Sequence, residues 1–62
     1  MEKMETDAIA TSDAKTIKRL VGSGEPLSSA AAGFGYTTSE AMHLLGCMAK
    51  YGHVPVNWWL AE

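Results

Sequence analysis

The sequence predicts a mainly α domain of three helices, the last two joined as a helix-turn-helix, followed by a short C-terminal β-strand. Three observations carry that prediction. A glycine, Gly35, interrupts an alanine-rich run where a tight turn needs a positive backbone angle. Beyond it, Ala41, Leu44, Leu45 and Met48 recur at helical spacing and mark one buried stripe that stops at Gly52. After that stop, Val54, Val56, Trp58 and Leu60 alternate, the period of a strand.

The first helix is expected from about Ser12 to Val21. Ser12 or Thr11 supplies a capping oxygen, Asp13 suits the positive end of the helix dipole, and Lys18 and Arg19 suit its negative end. Ala14, Ile17, Leu20 and Val21 form its buried face. Gly22 and Gly24 end it, and Pro26 sets up the next start. The second helix is expected over roughly Ser28–Phe34 and the third over Thr38–Tyr51, with Thr37, Thr38 or Ser39 as its cap. In the strand, Pro55 lacks a donor and so marks an edge. The expected core is Ile17, Leu20, Ala31, Phe34, Ala41, Leu45 and Met48. Residues 1–11 are expected to be a mobile acidic leader, and 12–62 the folded domain.

The run from Thr16 to Val56 resembles the winged helix-turn-helix regulators. GEPLS (Gly24–Ser28) is similar to the phrase that introduces their second helix. MAKYGHVPV (Met48–Val56) is similar to the passage from their recognition helix into the first wing strand. The segment Leu27–Phe34 is short for a second helix, and ten residues after Gly52 leave room only for a truncated wing. The resemblance implies a small bacterial or phage regulator that binds double-stranded DNA as a dimer, with its third helix offered to the major groove. The tandem tryptophan near the C-terminus is also similar to regulators linked to bacterial ferrous-iron transport, although the cysteine-bearing wing of many of those is missing.

Size and charge bound the function. Sixty-two residues make one small domain, which buries only about 60% of its unfolded surface. The 47% hydrophobic content is that of a globular chain rather than a disordered one. No apolar run approaches the ~18 residues of a membrane span and no signal-peptide core follows Met1, so a cytoplasmic protein is expected. The formal charge is −2, unevenly spread. Residues 1–13 hold four acids against one lysine, whereas the remainder holds four cations against three acids. Each neutralised phosphate needs a cation, so four per chain points to a dimer for duplex binding.

With Ala41, Leu45 and Met48 inward, the third helix turns Thr38, Ser39, Met42, His43 and Gly46 outward. Thr37, Thr38, Ser39, Met42 and His43 are the expected groove contacts, through hydroxyls, a thymine-methyl contact and a ring nitrogen. Lys15, Lys18, Arg19 and Lys50 are the expected phosphate contacts. The Arg, Lys, Asn and Gln side chains that make the strong bidentate base contacts are missing from that face, which keeps a second class of function open. In it, the winged-helix-like domain docks on a protein without binding DNA, as a phage-encoded inhibitor would.

Adjacent strand residues face opposite ways, so one of Trp58 and Trp59 fills the core and the other is free to anchor a homodimer or a partner. His43 and Cys47 share the i, i+4 spacing of a metal pair, with His53 a conceivable third ligand. A lone cysteine on an apolar helix reads better as a small buried hydrophobe, and no metal or other cofactor is expected. Cys47, the histidines and Glu40 form no nucleophile–base motif, so no enzymatic activity is expected.

Overall fold

A computed structural model describes residues 5–60. Three helices, α1 (Ala8–Gly22), α2 (Leu27–Ala32) and α3 (Thr38–Tyr51), are followed by a single 3₁₀ turn, Trp58–Leu60. The mainly helical class is therefore as expected, while the boundaries and the tail differ in informative ways.

α1 begins four residues before the expected Ser12. Asp7 caps it, its side chain accepting from the Ala10 N–H at 3.1 Å. Neither Thr11 nor Ser12 acts as the cap. The earlier start brings Ala10 into phase with Ala14 and Ile17, one stripe at i, i+4, i+7. Thr11, in the next row, is buried and turned toward the C-terminal segment. The part of the expected leader from Glu5 to Thr11 is thus built into the fold; residues 1–4 lie outside the described residues. Val21, expected inside, falls one turn beyond Ile17 on the same stripe but is exposed at the end of α1.

α2 has six residues and ends at Ala32, short of the expected Phe34. Gly35, at φ +83°, turns the chain as anticipated. Ending the helix early moves Phe34 into the turn, where it is 39% exposed rather than in the core. Tyr36 takes the inward place. Its ring packs against both core clusters, meets Trp58 edge-on at 6.0 Å between centroids, and its hydroxyl donates to Asp13 Oδ2 at 2.8 Å.

α3 occupies the expected Thr38–Tyr51. Of the three candidate caps, Thr37 is the one used. It forms a reciprocal box with Glu40: the Thr37 hydroxyl accepts from the Glu40 N–H, and a Glu40 carboxylate oxygen accepts from the Thr37 N–H. Gly52, at φ +80°, terminates the helix. The buried stripe is Ala41, Leu44 and Cys47, with Leu45 and Met48 only half-buried at its margins.

The core has two lobes. Ala10 and Ala14 join Leu44, Cys47, Val54 and Trp58, while Ile17 joins Ala30, Ala31 and Ala41. Residues early in α1 meet residues late in α3 and the reverse, so the two helices run antiparallel. The alanines at these contacts let the helix backbones approach closely.

The expected strand from Val54 to Leu60 does not form. A single antiparallel bridge pairs Thr6 with Pro55. The Asp7 N–H donates to the Val54 carbonyl at 2.8 Å and the Val56 N–H to the Glu5 carbonyl at 3.0 Å. Both bonds fall on the neighbours of Pro55, so its missing N–H leaves no gap. Further on, the backbone bonds locally instead, Trp58 to Pro55 and Leu60 to Asn57, which coils the tail into the 3₁₀ turn. Thr11 anchors the junction: its hydroxyl accepts from the Val54 N–H at 3.0 Å and donates to the Val54 carbonyl at 3.4 Å.

Candidate interface on the third helix

α3 is flanked on two sides. Ala41 and Leu45 pack toward α2, and on the opposite flank the 3₁₀ turn leans on the helix through Trp58, whose ring lies 6.0 Å from that of His43. At 100° per residue, Thr38, Met42, Gly46 and Ala49 follow one another along the ridge between these flanks, with Ser39 and Lys50 beside it. All six are exposed, Met42 to 61%. An open helical ridge held between two supports is the result.

The expected groove residues divide accordingly. Thr38, Ser39 and Met42 lie on or beside the open ridge. Thr37 is exposed, but its hydroxyl is engaged in the cap. His43 is turned onto the tryptophan flank and half-buried, and its Nε2 atom has no hydrogen-bond partner among the described residues. Lys50 is exposed with its ammonium 5.3 Å over the Tyr51 ring, a cation–π contact. Lys15, Lys18 and Arg19 are exposed on α1.

Two shallow clefts flank the ridge. The first, of about 200 Å³, brings together Ser39, Glu40, His43, Trp58 and Trp59. The second, of about 340 Å³, gathers Met42, His43, Gly46, Cys47, Lys50 and Tyr51. Lys15, Lys18 and Arg19 line neither. The two tryptophans sit at 88° to each other with centroids 6.1 Å apart. Trp58 is buried and Trp59 is 54% exposed. One ring is therefore core and the other surface, as the sequence implied, although 3₁₀ geometry rather than strand alternation separates them.

Cys47 is buried in the core lobe with Ala10, Ala14 and Leu44. His53, the conceivable third metal ligand, stacks its ring near Tyr51 at 6.1 Å. Among the described residues, no three His, Cys, Asp or Glu side chains gather as a metal site. Glu40, which the sequence brought forward only as a group without a catalytic partner, lines the first cleft, and Thr37-Thr-Ser-Glu40 carries the spacing of a capping box. Tyr36 stands out electrostatically: burial first, then its bond to the Asp13 carboxylate, pushes the phenol up to about 12.

No protein-family profile, curated protein or solved structure matches the chain. None of the described helices is long and apolar enough to cross a membrane.

Proposed function

We propose that the chain is a small DNA-binding regulator of the helix-turn-helix type, acting as a dimer through the outer ridge of α3. The observation that carries this reading is the support of α3 on both flanks with its third side left open. Thr38 at the start of that ridge and Ser39 beside it offer hydroxyls to phosphates or base edges, and Met42 offers an apolar contact to a thymine methyl. Gly46 and Ala49 keep the middle of the ridge low, so the helix axis can approach the groove closely. Lys50 at the far end, with Lys15, Lys18 and Arg19 on α1, supplies the cations for the backbone. Dimerisation doubles that small number. The resemblance to winged helix-turn-helix regulators points the same way.

The test is fluorescence anisotropy of labelled duplex DNA over a salt series. The expected result is binding that weakens linearly in log salt, with Arg19→Gln reducing the slope by about one unit on any sequence. Met42→Ala alters sequence preference instead. No retention of any duplex at low salt overturns the reading.

A second reading, a module that docks on a protein, is favoured by one specific observation. The exposed side chains of Met42, Trp59 and Leu60 (61%, 54% and 70%) are larger and more apolar than phosphate contact requires.

A further inference from the structure

We infer that the cleft between α3 and the 3₁₀ turn is a receptor for an arginine side chain carried by a protein partner. This does not rest on DNA binding, because the cleft lies on the flank of α3 rather than on its outer ridge. Three groups converge there, a carboxylate and two aromatic rings, and a planar guanidinium suits all of them. Trp59 provides a half-exposed indole, set at 88° to the buried Trp58 that walls the same cleft. Indole faces attract cations, and the planar guanidinium stacks on them more readily than an ammonium does.

Glu40 provides negative charge. One of its oxygens is held by the Thr37 N–H at 2.8 Å, which fixes the carboxylate in place while the other oxygen takes no hydrogen bond from the described residues. The lysine nearest along the same helix does not neutralise it: Lys50 lies about three turns away, over the Tyr51 ring. His43 provides the third group. Its ring lines the cleft beside Trp58, 6.0 Å between centroids, and adds a second aromatic wall, while its Nε2 is shielded from solvent.

A carboxylate oxygen and the aromatic rings of Trp59 and His43 around about 200 Å³ call for a flat cation with several N–H donors. Arginine has five such donors in a rigid fork; lysine has three on a compact, strongly hydrated head. A phosphate is the wrong occupant, because Glu40 repels it.

The probe is Nα-acetyl-arginine methylamide, titrated into the ¹⁵N-labelled full chain while the indole N–H resonances of Trp58 and Trp59 are followed. The neutral near-isostere, Nα-acetyl-citrulline methylamide, is the control. Arginine is expected to move the Trp59 resonance in a saturable way, and citrulline to leave it in place. Glu40→Gln removes the charge but keeps the capping box, which accepts Gln at that position. It is therefore expected to weaken arginine binding about fivefold, the effect of losing roughly one partly exposed charge pair, with the melting temperature unchanged. Trp59→Ala is expected to abolish the arginine-dependent shift of the Trp58 indole resonance, which lines the same cleft, without unfolding the chain. Equal response to arginine and citrulline, or unaltered arginine binding in Glu40→Gln, overturns the inference.

Discussion

Replacing Leu44 by alanine tests the register of α3 against its neighbours. Leu44 is fully buried in the lobe formed by Ala10, Ala14, Cys47, Val54 and Trp58. The substitution removes three carbons, about 2.4 kcal/mol of transfer free energy at roughly 0.8 kcal/mol per group. A void sealed by two helices and the tail adds a cavity term, which brings the cost to about 3–4 kcal/mol. A chain of 62 residues has a total stability of about 3–9 kcal/mol, so the variant loses a third of it at least.

Leu45, one residue on, is only half-buried at the edge of the other lobe. The same substitution there loses about half the transfer free energy and leaves no sealed void, close to 1 kcal/mol. Urea denaturation followed by circular dichroism measures both, with constant m-values showing that the comparison is of stability alone. If Leu45→Ala costs as much as Leu44→Ala, the stripe is in a different phase and the packing described above is wrong.

Thr11→Val keeps the shape but strands the buried Val54 N–H, and is expected to cost about 1–3 kcal/mol, with Thr11→Ser recovering much of it in the same denaturation assay. Trp58→Ala is expected to destabilise by about 3–5 kcal/mol. Trp59→Ala should change thermal stability by no more than about 0.5 kcal/mol, acting instead on binding or self-association read by sedimentation. Tyr36 is protonated in the fold up to about pH 12 rather than the usual 10.0. Its contribution is therefore complete below pH 10, declines as pH rises from 10 to 12, and should be missing from the alkaline arm of the stability profile of Tyr36→Phe.

The sequence by itself determined α3. Its limits and its stop depend on residues within one turn of each end, and Gly52 stops it wherever the helix packs. The choice of Thr37 over Thr38 and Ser39 as the cap became visible only in its reciprocal bonds with Glu40. Gly35 was legible for the same reason, since a positive φ is a local demand. Of the candidate site, the outward Thr38, Ser39 and Met42 followed from helical period alone. Tertiary structure decided the rest.

Period could not choose between Phe34 and Tyr36 for the core, because that depended on where a six-residue helix would stop against two others. Nor could it show Thr11 as the anchor of Val54, a partner forty-three positions away. The tail alternates like a strand, yet a strand needs a neighbour, and the N-terminal segment is seen to pair with it only between Thr6 and Pro55. Beyond that bridge, among the described residues, the backbone donors of Trp58 and Leu60 bond locally and the tail coils. That coiling carried Trp58 onto His43 and Trp59 to the surface beside Glu40, making a cleft from residues some twenty positions apart that no spacing rule joins.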